Sequence, residues 1–489
     1  MIAFASADLK KTSMETLIIP VCADKEIHSD RAIVAVLKKV KKLKEFSGAK
    51  DEEIVFYKPS GIAADRIIFF GLGKLNGVDA EALRAMAGKA AKRSIQMKLD
   101  AVHFMVPAAQ KIKLELSLIL EALMEGLSLG NHLFDKYLAE KKQKPLKKAY
   151  LLVADEAAKK YGRLPSRIEA ICTGTALARD WVSMPSNEKR PEQFANLIVT
   201  HARKVKLNAR IMQERELVQK KFGALLAVGA GSQSRPRMVV MEYKVKGSRK
   251  TIAFVGKGVT FDSGGINLKP STSMDDMKMD MSGAAAVAAT LITIAKLKPR
   301  INVIGVVPIV ENMPSGSASR PGDIIKSYSG KSIEIGNTDA EGRLILVDAM
   351  AYVSRKYKPQ TLIDLATLTG ACVVALGEKI AGVFSEDDAL AEVIVASGKK
   401  THERCWRMPL PQDYKEQLKS DFADISNMGS TRWGGAITAA LFLSEFVKDI
   451  RWAHIDIAGP AYAKKGDAYC TAGGTGFGVR LLCDLIDKL

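Results

Sequence analysis

Seven side chains in two short stretches of this sequence have the types and spacing to do chemistry together. The first stretch, VGKGVTFDSGGINLKPST from Val255 to Thr272, presents Lys257, Asp262 and Lys269 on a glycine-rich loop; MKMDMSGAAAVA, from Met277 to Ala288, follows with Asp280. The second, IGNTDAEGRLILVDAMA from Ile335 to Ala351, supplies Asp339, Glu341 and Arg343. Four carboxylates and two lysines suit a site for two divalent ions, since hard cations prefer oxygen ligands and zinc also accepts carboxylate. Ions held ~3.5–4 Å apart need bridging carboxylates to screen their repulsion. Asp262 and Glu341 are candidates to bridge, with Asp280 and Asp339 binding one ion each. A lysine ligand must be a neutral amine, which a neighbouring cation enforces. Asp339 and Glu341, two apart, would project to one side of an extended segment.

Each residue alone has an ordinary explanation. Asp262 in D-S-G-G reads as a turn residue, Asp280 as a helix cap, Asp339 and Glu341 as first-turn acids facing a helix dipole, and Lys269 as a solvated cation. The sharper reading rests on their joint occurrence beside predicted strand ends. Other chemistries lack their signatures. The six histidines form no H-E-x-x-H pair, there is no G-x-S-x-G elbow, and Gly229-Ala-Gly231 and Gly71-LGK-Leu75 are incomplete phosphate-binding motifs. The glycine-dense run CTAGGTGFGVRL, Cys470 to Leu481, reads as close packing.

The elements that must position these residues follow from periodicity. Short β-branched runs (Thr16–Ile19, Ile54–Tyr57, Ile67–Phe70, Ala101–Val106, Ala149–Val153) alternate with helical patterns at Ala32–Phe46 and Asp79–Met97, predicting an α/β domain over 1–165. The boundary is expected in the proline- and lysine-bearing segment Pro145–Pro165, followed by a long helix, Ser166–Val182. Residues 166–489 repeat the alternation with strands at Met238–Glu242, Thr251–Val255, Asn302–Val307, Thr361–Asp364 and His454–Ile457, and helices at Asp280–Leu297, Gly342–Lys356 and Ile437–Phe446. The expected fold class is therefore α/β in two domains: a smaller N-terminal one, and a larger C-terminal α/β/α domain with a central mixed sheet. Ligands of such sheets bind beyond the carboxyl ends of strands.

Composition bounds the rest. With 489 residues, 47% hydrophobic and 26% charged, the chain is ordinary globular material of about two domains. The formal net charge of +19 suggests an anionic partner such as nucleic acid. All of it lies before residue 251, because residues 251–489 hold 27 basic and 27 acidic side chains. The basic stretch Lys204–Lys250 carries little aromatic interleaving, so solvated charge is the plainer reading of Lys220, Lys221, Arg235 and Arg237. Six scattered cysteines, no signal peptide and no apolar run of spanning length predict a cytoplasmic protein without a membrane segment.

At these same residues the sequence resembles the leucyl aminopeptidase (cytosol aminopeptidase) family. NTDAEGRL, Asn337 to Leu344, matches the family's signature octapeptide; VGKGVTFDSGG, MKMDMSGAA, ARDWVSMPSN (Ala178–Asn187), DLATLTGA (Asp364–Ala371) and AHIDIAGP (Ala453–Pro460) support it. The resemblance spans about 170–480. It implies that Lys257, Asp262, Asp280, Asp339 and Glu341 are the ligands of two divalent ions, Mn²⁺ or Zn²⁺. It also implies that Lys269 and Arg343 are catalytic, with a bicarbonate at Arg343 shuttling protons and a metal-bridging hydroxide as nucleophile. Met277 and Thr367 would line the pocket for the first side chain, while backbone groups of Thr367, Leu368 and Gly370 hold the substrate main chain. Members are two-domain subunits in homohexamers that remove N-terminal residues from peptides. Pro460-Ala461 stands where some relatives carry a bulkier residue, so leucine and other apolar first residues are expected substrates.

Overall fold

The computed structural model describes residues 2–6, 8–447 and 449–489. It contains two compact units, residues 1–172 with 465–471, and residues 173–464 with 472–489. The division falls inside the helix Leu164–Ser183 rather than in the Pro145–Pro165 segment. Nothing in local sequence signals that 465–471 belongs with the first unit.

In the smaller unit the strands are β1 (Ile2–Ser6), β2 (Met14–Cys22), β3 (Glu53–Tyr57), β4 (Ala64–Gly73), β5 (Ala101–Met105) and β6 (Lys148–Val153). They form one sheet in the order β1-β6-β5-β2-β4-β3, parallel except for the edge strand β3. Leu17, Ile18 and Ile19 of β2 are all fully buried, which a central strand covered on both faces requires. The helix expected over Ala32–Phe46 runs only from Arg31 to Val40, capped by Asp30 through Ala32 and Ile33.

The larger unit contains β7 (Asn208–Met212), β8 (Arg237–Tyr243), β9 (Thr251–Gly256), β10 (Gly258–Asp262) and β11 (Asn302–Asn312). These are followed by β12 (Ile324–Lys326), β13 (Ser332–Glu334), β14 (Thr361–Ala366), β15 (Ala381–Phe384) and β16 (Cys405–Arg407). Last come β17 (Ile425–Ser426), β18 (Arg451–Asp456), β19 (Tyr462–Ala463) and β20 (Gly473–Gly474). The main sheet is ordered β16-β15-β18-β14-β9-β11-β8-β7, with β10 also on β11. It is mixed: β18, β14, β9 and β11 run parallel at its centre, and antiparallel strands flank them. Strands β12, β13 and β17 form a small separate sheet, and β19 pairs with β20.

Alternation along β9 assigns the two faces. Ala253 and Val255 pack in one cluster with Leu344, Ile345 and Val353 of the helix Glu341–Tyr357. Ile252 and Phe254, equally buried, point the other way, the side on which the helix Ser282–Leu297 packs. Ser271–Leu297 is long and apolar enough to cross a membrane, but 83% of its most apolar window is buried inside the protein, as in a core helix.

Five lysines sit just past helix ends, three of them in the basic part of the chain before residue 251. Lys98, Lys113, Lys206, Lys298 and Lys358 each follow a helix in the left-handed conformation. Cations there face the negative end of the helix dipole. These five charges have a local structural use.

Candidate metal centre

The site is built where the parallel strands end. Strand β11 is long because it serves two partners, pairing with β9 over Asn302–Val306 and with β10 from Ile309 to Asn312. The segment read as a glycine-rich loop is therefore strand as far as Asp262, broken only at Lys257. At that break the Lys257 main chain is held from both sides: its N–H donates to the Leu365 carbonyl (3.0 Å), and its carbonyl accepts from Ala284 N–H (2.8 Å). A Cβ on Gly283 would lie 2.1 Å from the Leu365 carbonyl oxygen, so glycine alone lets this helix approach the strand end. The helix starts at Ser282, not Asp280; Asp280 follows a single 3₁₀ turn, Met277–Met279, and its side chain is released from capping to face the site. Glu341 is the first residue of its helix and Asp339 sits in the turn before it, so the two are not on an extended segment.

Six of the seven sequence candidates converge. Lys257 Nζ lies 2.7 Å from Asp280 Oδ1 and 2.8 Å from Glu341 Oε1. Lys269 Nζ lies 3.0 Å from Asp262 Oδ2 and 2.5 Å from Asp339 Oδ1. Ligand atoms of Asp262, Asp280 and Glu341 all lie within 4.8 Å of one another, and all three residues are buried. Four carboxylates against two ammonium groups leave a net charge of −2 in a desolvated space. The titrations carry that imbalance. Burial, together with the charges of Asp262 and Asp280, pushes Glu341 up to about 8. Burial lifts Asp280 to about 6 against the pull of Lys257. Both lysines resist burial and stay above their usual value because the carboxylates outweigh it. Asp280, Asp339 and Glu341, each held above its usual value by burial, would gain from more positive charge nearby, and Asp280 Oδ2 is buried with no hydrogen-bond partner among the described residues. Oxygen-rich, electron-rich and dry, the donor set fits divalent cations.

Arg343 stands beside the cluster rather than in it. It is buried; Nη1 donates to the Asn427 carbonyl at 2.7 Å, while Nε has no partner among the described residues. Burial lowers it to about 10, opposed by Glu341 and Asp456. An unspent donor on a buried guanidinium is free to bond an acceptor.

Of the residues expected to hold substrate, Thr367 is already engaged: its hydroxyl donates to Asp280 Oδ1 (2.7 Å) and its carbonyl accepts from Lys257 Nζ (2.8 Å). Leu368 N–H donates to Asp456 Oδ1 at 3.2 Å. Gly370 opens the helix Gly370–Leu376 with open space where a side chain would be. Met277 is half-buried beside the segment 462–464: Lys278 lies over the Tyr462 ring (5.9 Å) and Asp276 pairs with Lys464 (3.5 Å). Ala461 is buried at the start of that segment.

Several supporting residues escaped the sequence reading. Asn312 Nδ2 donates to Asp262 Oδ1 (2.9 Å) and to the Thr338 carbonyl (3.1 Å), tying the two motifs together. Asn427 accepts from Gly336 N–H (2.7 Å) and donates to the Asn337 carbonyl (2.9 Å), fixing the loop that carries Asp339. An asparagine in a strand end or loop has no distinguishing sequence signal. Asp456 did have one, its place in AHIDIAGP. In the basic stretch, Arg237 is buried and paired with Glu192 (3.1 Å), and Arg235 is paired with Glu214 (3.7 Å), so two of the four cations proposed for an anionic partner are turned to internal use.

Comparison with known proteins identifies the family. Residues 176–483 match the model of the cytosol aminopeptidase family, catalytic domain, and residues 21–141 match that family's N-terminal domain. A probable cytosol aminopeptidase of Syntrophotalea carbinolica is 44% identical over 91% of this chain and 90% of its own length. One of Chlorobium limicola is 40% identical over 100% and 99%. Among solved structures, the bottromycin maturation enzyme BotP in complex with Mn superposes with a TM-score of 0.86 at 32% identity, over 97% of this chain and 99% of that one. The chain belongs to the cytosol aminopeptidase family, as a metal-dependent aminopeptidase of the hydrolase class.

Proposed function

We propose that this protein releases N-terminal amino acids, with leucine and other apolar residues preferred, from peptides at a centre of two divalent ions held by Lys257, Asp262, Asp280, Asp339 and Glu341. The observation that carries the reading is the buried cluster of three mutually close carboxylates with a net negative charge. Mn²⁺ or Zn²⁺ suits these donors, and a similar solved chain was determined with Mn. Such ions, when bound, polarise a scissile carbonyl and lower the pKa of water towards ~7. Lys257 would join them as a free amine, having given up its proton.

The chain's own groups do the rest. The ammonium of Lys269 is placed to stabilise negative charge developing on the carbonyl oxygen. Arg343 would hold a bicarbonate through its unspent Nε–H, a group that would supply a proton acceptor and donor beside the cluster. The Leu368 N–H is occupied by Asp456, so its carbonyl and the exposed Gly370 backbone are the groups to hold the substrate main chain. The α-amine of the first residue would anchor at the cluster, which limits cleavage to chain ends because internal peptides lack that group. Met277 and Thr367 would line the pocket for the first side chain, with Ala461 leaving room for leucine, methionine and aromatic residues. By its family resemblance the protein acts in the cytoplasm as a homohexamer.

The test is cleavage of leucyl-anilide with added Mn²⁺ by the parent protein and by Glu341→Ala. Loss of turnover in the variant is expected; undiminished turnover overturns the assignment. Activity on alanyl substrates clearly above that on leucyl and methionyl ones would overturn the pocket reading.

A further inference from the structure

Behind the substrate-facing strand end lies a second buried polar system that the reaction as described does not use. Asp364 of β14 and His454 of β18 are cross-strand partners, as are Ala366 and Asp456 two residues further on. With side chains alternating along each strand, His454 and Asp456 share a face. His454 Nδ1 is 2.6 Å from Asp364 Oδ1, and Trp452 Nε1 donates to Asp364 Oδ2 at 2.8 Å. The imidazole stacks on Phe384 (5.8 Å between centroids), and its Nε2 is buried without a hydrogen-bond partner among the described residues. Asp364 and His454 are each fully buried. Asp456 in turn accepts from Leu368 N–H (3.2 Å), Ala458 N–H (3.1 Å) and the Thr369 hydroxyl (2.7 Å). Those bonds define the backbone from Leu368 to Gly370, which is offered to the substrate.

A carboxylate buried as deeply as Asp456 is expensive to keep ionised without a nearby cation. We infer that His454, held as an imidazolium by Asp364, is a positioning residue: it keeps Asp456 ionised, and Asp456 thereby fixes the Leu368–Gly370 backbone in its substrate-binding shape. The electrostatics point the same way. Burial works against a charge on His454, yet the carboxylates of Asp364 and Asp456 hold it above its usual value. Burial holds Asp456 above its usual value, and the His454 charge is the strongest influence opposing that burial. The groups facing His454 are Asp364 from β14, Asp456 and Trp452 from its own strand, Phe384 from β15 and, at longer range, Arg343 from the helix Glu341–Tyr357. The inference rests on the aminopeptidase reading only for the identity of the substrate.

Two measurements on the full-length protein test it. In protein labelled with ¹⁵N-histidine, the ring assigned to His454 by its loss in His454→Gln should have both nitrogens protonated at neutral pH; a neutral tautomer overturns the inference whether or not the protein cleaves peptides. In the kinetic test, His454→Gln keeps an amide to bond Asp364 but removes the charge. KM for leucyl-anilide should rise roughly tenfold with kcat changed less, the size expected when a buried hydrogen-bonded group loses its support. Combined with Asp456→Asn, the histidine change should add almost nothing. Independent, additive effects, or a single variant within twofold of the parent, would overturn it. Asp364→Asn, which weakens the hold on the imidazolium while keeping the side chain's shape, must reproduce the KM effect and serves if the glutamine variant does not fold.

Discussion

Gly342 leaves the room that Lys257 occupies: a Cβ at position 342 would lie 2.5 Å from Lys257 Cε and 2.8 Å from its Nζ. The glycine that follows the glutamate in the octapeptide is therefore not a helix-propensity accident. It is the hole through which the lysine at the break between β9 and β10 reaches a carboxylate on the first turn of a helix packed across the sheet. Gly342→Ala should weaken Mn²⁺ binding by roughly 10–100-fold, the range seen when groups supporting a metal ligand are disturbed. Because alanine also favours the helix by about 1 kcal/mol, melting should change little. Isothermal titration with Mn²⁺ checks it, and parent-like affinity would show that Lys257 does not need that path.

Asn312 joins the two motifs through one amide group. Replacing it with alanine leaves Asp262 Oδ1 with only the Gly264 N–H (2.9 Å) and the Thr338 carbonyl without its donor. Asn312→Ala should lower leucyl-anilide turnover and, with an orphaned buried acceptor costing about 1–3 kcal/mol, also lower the melting temperature. An unchanged melting curve would count against the bridge.

Asp348 gives a pH prediction away from the metal ligands. It is fully buried on the helix Glu341–Tyr357 and accepts from Leu225 N–H (3.0 Å) and Tyr328 N–H (2.7 Å). Burial pushes it up to about 7 from 3.8, against the help of those N–H donors. The folded chain therefore binds this proton more tightly than the unfolded one. Its contribution is full below about pH 4 and is lost as pH rises to about 7, with a plateau above. Asp348→Asn should be less stable overall, since its NH₂ must face one of two N–H donors, and the parent should lose stability relative to it between those limits. Denaturant midpoints at pH 5 and pH 8 decide this; a gap that widens at pH 8 would contradict it.

Lys298 and Lys358 end their helices at φ of +55° and +43°, where a Cβ is strained. Lys298→Gly and Lys358→Gly should each change stability by roughly +1 kcal/mol, relief of left-handed strain less the added entropy of the unfolded chain. Thermal melts of the single variants check it, and a fall in melting temperature would mean that the lysine–dipole attraction outweighs the strain.

The legible part of this protein was the part written in local pattern. Apolar β-branched runs located β2, β4, β5, β6, β8, β9, β11, β14 and β18, because strands covered on both faces must be apolar throughout. What misled was local reading of glycine: Gly258–Asp262 looked like loop, yet it is strand, because β11 extends past β9 to pair with it. Likewise Asp280 looked like a cap and is not, because a 3₁₀ turn intervenes before the helix.

By itself the sequence determined the chemistry on offer: four carboxylates, two lysines and an arginine in two glycine-flanked motifs, in an electroneutral half of a basic chain. Residue type and spacing are enough to say which ions such donors suit. Only the tertiary structure decided which groups meet and in what electrical surroundings. The pairing of Lys257 with Asp280 and Glu341, the unpartnered oxygen of Asp280, the amide of Asn312 and the Asp364–His454–Asp456 system all arise where segments far apart in sequence are brought together at the ends of parallel strands. Charge, burial and hydrogen bonding are properties of a place, and the place exists only once the sheet has formed.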